Sequence, residues 1–198
     1  KLKAATEHTN IDDVIIDKKN NTVLLADSEM SLDVGAIAKG YAVERVAEFL
    51  EDEGKTGYLI NIGGNVRAVG GKNGKEGWKV GIENPDPDSE DSYIEYLEIK
   101  DMSVVTSGNY QRFYTVDGVN YHHIIDPVTL MPSDKFSSVS VICKDSGLAD
   151  ALSTALFLTD FDEGIELVEK VGGIEVLWVF NDGNIKYSDG FKQYVCKN

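Results

Sequence analysis

At 198 residues, with 42% hydrophobic and 27% charged residues, the sequence describes one globular domain long enough to bury a core. Its 19 basic against 34 acidic residues leave a net charge of −15, which repels a phosphate backbone and argues against nucleic-acid binding. A small phosphate-bearing ligand meets the same repulsion unless a cation or a nest of amides offsets it. No run of about 18 apolar residues is long enough to span a membrane. The opening KLKAATEHTN lacks a signal peptide, so compartment is not encoded there, and the absence of an initial Met points to a mature form or an excised piece. Cys143 and Cys196 form no CxxC, which argues against a structural zinc site.

In chain order, VIIDKKNNTVLLA (14–26) reads as a hairpin around an Asn-rich turn. The stretch LDVGAIAKGYAVERVAEFLEDEG follows, in which Val43, Val46, Ala47 and Leu50 sit at i, i+3, i+4 and i+7. That spacing predicts a helix with one buried stripe, Asp33 near its start and Gly54 as its C-terminal stop. Short strands come next: YLINI, VRAVG, WKVGIE, YIEYLEI, MSVVTS, YQRFYTV, VNYHHII and SSVSVIC, with VDGV as a hairpin signal between two of them. Helices return at LADALSTALFLT and DFDEGIELVEKV, and IEVLWVF-NDGN-IKYS closes the chain as a hairpin. Antiparallel strands with helices grouped before and after them predict an α+β fold of mostly antiparallel mixed sheets with flanking helices. We find no repeats and no low-complexity linker, so residues 1–198 read as a single domain.

Several stretches carry chemistry. DVGAIAKGY is not a P-loop, because Gly40 rather than Ser or Thr follows Lys39. It reads either as a closely packed helix start or as a set of free amides that suits a phosphate. NIGGNVRAVGG lacks the GxGxxG spacing and reads as a tight turn between strands. In ADALSTALF, Asp150 and Thr154 are four apart and share a helix face among apolar neighbours. A buried ionised Asp there costs several kcal/mol unless paired or on a metal, and carboxylate plus hydroxyl suits a Mg²⁺ that keeps waters. The alternative is an exposed first-turn Asp favoured by the helix dipole. In YHHIIDP, alternation sends His122 and His123 to opposite faces. One inward His beside a turn is an acid/base candidate or a hydrogen-bonded core residue; without a third His or a Cys nearby it is no zinc site. VVTSGNY is not GxSxG and gives no nucleophile elbow.

Taken in order, LDVGAIAKGYAVE, NIGGNVRAVG, VVTSGNY, HHIIDPVT and ADALSTALF resemble the ApbE family of flavin transferases over nearly the whole chain. The resemblance implies an ApbE-like (T-fold-like) domain that uses Mg²⁺ and takes FAD as substrate. It attaches FMN through a phosphoester to a Thr of a partner protein and releases AMP. Some members instead hydrolyse FAD to FMN and AMP, and a non-catalytic flavin-binding domain is a further alternative. By the same resemblance Asp150 and Thr154 are side-chain metal ligands, Ala36 gives the metal a backbone carbonyl, and His123 is the base. Asp33 and Lys39 line the flavin cofactor, Ile124 and Ile125 touch it, and Gly64, Asn65, Thr106, Ser107 and Asp126 are further cofactor-binding positions. The implied setting is the extracytoplasmic face of a bacterial cell membrane, lipid-anchored, with a subunit of a membrane redox complex as target. Two departures stand out. Leu130 replaces the Gly that usually follows the Thr of DPxT, which predicts a different bend of that loop, and an N-terminal segment that holds adenine and part of the isoalloxazine is expected to be missing.

Overall fold

The structure, a computed structural model, describes residues 2–197. They divide into two compact units, one up to Val34 and one from Gly35. The first holds a single helical turn α1 (Leu2–Ala5), two short 3₁₀ turns and the expected hairpin of β1 (Val14–Asp17) and β2 (Thr22–Leu25). The Asp17 carboxylate accepts the backbone N–H groups of Lys19 and Asn20, which closes the Asn-rich turn.

The second unit opens with α2 (Ala38–Asp52), which begins several residues after Asp33. Its C-terminus is stopped by Gly54 at φ +72°: Gly54 N–H donates to the Glu51 carbonyl and Lys55 N–H to that of Leu50, both at 2.8 Å. The buried stripe differs from the one expected. Gly40, Val43, Glu44 and Ala47 are buried, whereas Val46 is exposed. An apolar-only pattern cannot see that a Gly and an ion-paired Glu occupy two of the four inward positions.

A six-stranded antiparallel sheet forms the body, in the order β12 (Ile185–Tyr187), β11 (Glu175–Phe180), β10 (Phe136–Cys143), β7 (Ser103–Gly108), β4 (Asn65–Val69), β3 (Tyr58–Ile62). Strand alternation splits its side chains between two cores. Val105, Val139, Val141, Val176 and Trp178 face α3 (Ser146–Leu158) and α4 (Phe161–Val171). Val66, Val104, Ile142, Leu177 and Val179 face a separate hairpin of β5 (Trp78–Glu83) and β6 (Tyr93–Ile99), which contributes Val80, Ile82, Leu97 and Ile99. Burial on both faces explains why β11 reads as a near-continuous apolar run, whereas β10 buries Ser138 and Ser140 among its apolar residues.

The β3–β4 turn is tight, with Gly63 and Gly64 at φ +56° and +90° between paired Ile62 and Asn65, as NIGGN predicts. A last hairpin, β8 (Phe113–Val116) and β9 (Val119–His122), turns through Asp117 and Gly118 at φ +49° and +79°. Its first strand is shorter than YQRFYTV suggested. Among the described residues no helix is long and apolar enough to cross a membrane.

Candidate active site around the start of helix α3

Asp150 lies one turn into α3 and is only 3% exposed, so it is not the solvated first-turn residue that its position allowed. Its Oδ2 accepts the backbone N–H of Gly40, in the first turn of α2, at 2.7 Å. That N–H has no intrahelical acceptor, and the partial positive end of α2 favours a carboxylate there. Gly40 is required by the approach: a Cβ would stand 2.2 Å from the Ser146 carbonyl oxygen and 2.5 Å from the Asp150 Cβ. Ala36 sits in the turn that leads into α2.

One turn beyond Asp150, Thr154 Oγ1 lies 3.1 Å from Ser107 Oγ, which is also 2.8 Å from Ser153 Oγ. Ser107 comes from the last residues of β7, where the sheet is open: β4 pairs with β7 only through Val66↔Val104 and Arg67↔Ser103. Next to this opening Lys39 of α2 donates to Asn65 Oδ1 at 3.1 Å and to the Gly63 carbonyl at 3.4 Å. Asn65 is fully buried, and among the described residues its Nδ2 has no partner, so both N–H donors of this amide stay unused.

Thr106 points the other way. Its Oγ1 meets Ser140 Oγ at 2.8 Å, and with Gly64 it lines a cleft of about 550 Å³ under the β5–β6 hairpin. Tyr110 and Glu83 stand on the same cleft, and burial, with the Glu83 carboxylate second, pushes the Tyr110 phenol well above its ordinary range. Consecutive positions on β7 therefore serve opposite faces of the sheet.

The two histidines separate cleanly. His122 is buried, with its ring edge-on to Phe157 of α3. Ile124 N–H donates to its Nδ1 at 3.3 Å, so the proton sits on Nε2, which donates to the Ser133 carbonyl at 2.8 Å. Both nitrogens are engaged, and the inward His is a core residue rather than an acid/base group. His123 is exposed, and its Nδ1 lies 3.3 Å from the Arg112 carbonyl. A carbonyl only accepts, so Nδ1 carries the proton and Nε2 keeps a free lone pair. Ile124 is packed into the α3 core, which ties the loop to that helix, while Ile125 is exposed.

Asp126 caps the turn that follows. It accepts Val128 and Thr129 N–H groups, and these hold its carboxyl below the usual carboxylate range. Leu130 takes φ +59°, so the loop keeps the left-handed bend that Gly would favour, contrary to the bend expected from its replacement. Asp33 lies in the first unit, exposed.

The donors near Asp150 suit a hard cation. They are a buried carboxylate and, one turn along α3, the hydroxyl of Thr154 with that of Ser107 beside it. Among the described residues Asp150 forms no ion pair, so its charge lacks a cationic partner. Among the same residues no group of three or more His, Cys, Asp or Glu is arranged to hold a metal ion. One carboxylate with neutral oxygens fits a Mg²⁺ that keeps several waters. It does not fit zinc, whose sites are built mainly on His nitrogen and Cys sulfur.

Sequence reasoning missed Glu44, Arg67 and Ser153, and it read close packing around Gly40 as one of two alternatives. A Gly inside a helical pattern, costing about 1 kcal/mol against Ala, signalled close packing at Gly40. No spacing rule pairs Glu44 with Arg67, which come from different elements.

A family model described as the ApbE family matches residues 1–178. A FAD:protein FMN transferase of Treponema pallidum is 38% identical over 184 residues, covering 88% of this chain and 51% of that protein. One from Vibrio cholerae is 35% identical over 198 residues, covering 100% of this chain and 57% of that protein. Among solved structures, the ApbE protein from Thermotoga maritima superimposes with a TM-score of 0.89 at 37% identity, over 99% of this chain and 63% of that one. The flavin transferase ApbE from Vibrio cholerae does so with a TM-score of 0.82 at 34% identity, over 98% of this chain and 61% of that one. The chain thus spans about half the length of the curated relatives it matches. The α+β architecture is shared with solved ApbE structures, and the family model covers most of the sequence: the chain belongs to the ApbE family.

Proposed function

We propose that this chain carries the catalytic part of a Mg²⁺-dependent FAD:protein FMN transferase. One observation carries the reading: Asp150, 3% exposed and without a cationic partner among the described residues, sits on a helix that also carries the Thr154 hydroxyl and to which the His123 loop is tied. Asp150 and Thr154, with the Ala36 carbonyl, would hold the metal, and Mg²⁺ bound there would neutralise a diphosphate that a −15 protein otherwise repels. Lys39, half-buried near the open end of β7, offers a donor to phosphate oxygens. Phosphoryl transfer asks mainly for such positioning and charge neutralisation.

In the reaction, the Thr hydroxyl of the acceptor attacks the phosphorus nearest riboflavin. The new Thr O–P bond forms as the bridging P–O bond breaks, AMP leaves with that electron pair, and the hydroxyl proton passes to His123 Nε2. General-base help of this kind is worth about 10²–10⁴-fold. Because His123 is exposed, water can take the place of the Thr hydroxyl, and a FAD pyrophosphatase is the second reading. On the family resemblance, the acceptor is a subunit of a membrane redox complex outside the cytoplasmic membrane.

Incubation with FAD, Mg²⁺ and a Thr-bearing acceptor peptide tests the proposal by peptide mass and AMP release. A peptide gaining FMN with stoichiometric AMP supports transfer. AMP without peptide labelling favours hydrolysis, and FAD retention without AMP reduces the chain to a flavin-binding domain.

A further inference from the structure

Two acids answer each other across the α2–α3 contact. Asp150 of α3 accepts Gly40 N–H at the start of α2 at 2.7 Å, and Glu44 of α2 accepts Ser146 N–H at the start of α3 at 2.6 Å. Both N–H groups belong to first helical turns, which lack intrahelical acceptors. Ile37, at the N-cap of α2, supplies no side-chain oxygen, and Asp145, at the N-cap of α3, directs its carboxylate to Leu148 N–H. Each helix start is therefore capped by an acid of the other helix. Gly40 and Glu44 are one turn apart on α2, as Ser146 and Asp150 are on α3, so the two bonds fix both the spacing and the rotation of the helices.

We propose that Glu44 is the positioning residue for Asp150, an inference that rests on the reading of Asp150 as a metal ligand. Glu44 is buried, and its Oε2 lies 3.4 Å from Arg67 Nε on β4, so α2, α3 and the sheet converge on one carboxylate. Without Glu44, Ser146 N–H loses its acceptor and the buried Arg67 guanidinium, which donates to the Ala68 carbonyl, loses its ion-pair partner. Of the two reciprocal caps only the Gly40–Asp150 bond then remains, and Asp150 is drawn between capping Gly40 and turning its carboxylate to a cation. Loss of a group that orients a metal ligand typically lowers metal affinity about 10–100-fold.

The test titrates the protein with Mn²⁺ in place of Mg²⁺, reading free Mn²⁺ by electron paramagnetic resonance at a temperature well below unfolding. Glu44→Ala should weaken binding about 10–100-fold while circular dichroism and a cooperative unfolding transition persist. Ser146→Pro removes the donating N–H at the first helical position, where Pro is well tolerated, and Asp145 already has the extended backbone a following Pro needs. It should match Glu44→Ala, and the double variant should lose no more than either alone. Glu48→Ala, which removes a carboxylate from the surface pair with Arg45 on the same helix, should bind Mn²⁺ as the wild type does.

Hydrogen exchange of the Gly40 amide gives a metal-free readout and should quicken in Glu44→Ala. If Glu44→Ala fails to fold, Ser146→Pro, which leaves Glu44 and Arg67 in place, carries the comparison. Folded variants that bind Mn²⁺ with wild-type affinity overturn the role of Glu44 alone. A wild type that binds no Mn²⁺ overturns the metal reading, and the positioning role with it.

Discussion

Gly40 and Asp150 meet where two helix starts cross, the amide of one capped by the carboxylate of the other at 2.7 Å. The Gly40 backbone leaves no room for a methyl group, and the atoms in its way are the Ser146 carbonyl and the Asp150 Cβ, neither of which is a flexible chain end. Gly40→Ala should therefore lower the unfolding free energy by about 1–3 kcal/mol, even though Ala is the better helix former. Urea unfolding measures it, and a variant as stable as the wild type contradicts the close crossing.

The same junction shows what could and could not be read from sequence. Strands β3, β5, β6 and β10 and helices α3 and α4 follow from alternation, 3.6-residue periodicity and turn residues, which are local signals. The Asp117–Gly118 and Gly63–Gly64 turns follow from glycine's tolerance of positive φ. The placement of Asp150 and Thr154 on one helix face is also local, being one turn of helix. The burial of Asp150 at the foot of another helix is not local, nor is the Glu44–Arg67 pair, since both depend on which elements pack together. Adjacent Thr106 and Ser107 illustrate the limit well. Their motif groups them, and the pleat of β7 sends one to a cleft and the other to α3.

Adjacent His122 and His123 should fail in different ways when truncated. His123→Ala should leave the unfolding midpoint unchanged and reduce FMN transfer about 10²–10⁴-fold, because its ring is exposed and its Nε2 is free. His122→Ala should cost about 1–3 kcal/mol, because it strands the Ser133 carbonyl and Ile124 N–H in the interior. Parallel thermal melts and transfer assays separate the two. Retained transfer by His123→Ala removes it as base.

Leu130 holds a left-handed conformation at φ +59° in the turn that Asp126 caps, and its own N–H donates to the Asp126 carbonyl at 2.8 Å. A side chain in that conformation costs about 1–2 kcal/mol, part of which Gly gives back through its freer unfolded chain. Leu130→Gly should raise stability by about 0.5–1 kcal/mol, and Leu130→Ile, with a β-branched side chain, should lower it. Chemical denaturation of the three proteins gives the order, and an Ile variant as stable as the wild type contradicts the bend.

The first unit carries a pH-dependent contact of its own. His8 Nδ1 lies 2.7 Å from Asp27 Oδ2, and Glu29 Oε2 is 3.6 Å from its Nε2. The hydrogen bond to Asp27 is the main cause that raises the His8 pKa above its ordinary 6.5, with the charges of Asp27, Glu29 and Glu7 adding to it. Asp27 moves the other way, below 3.8, held first by Glu29 N–H and then by His8. A raised folded pKa favours the folded state while the imidazole is protonated, so the His8 contribution is complete below pH 6.5 and fades as pH rises through the folded value. The depressed Asp27 contributes above its ordinary 3.8 and fades as pH falls through its lowered value, so the contact is strongest between the two. A nuclear magnetic resonance titration of the His8 ring should give a midpoint above 6.5, and Asp27→Asn should bring it down. A His8 midpoint at or below 6.5 in the wild type would mean that the carboxylates do not hold the imidazolium.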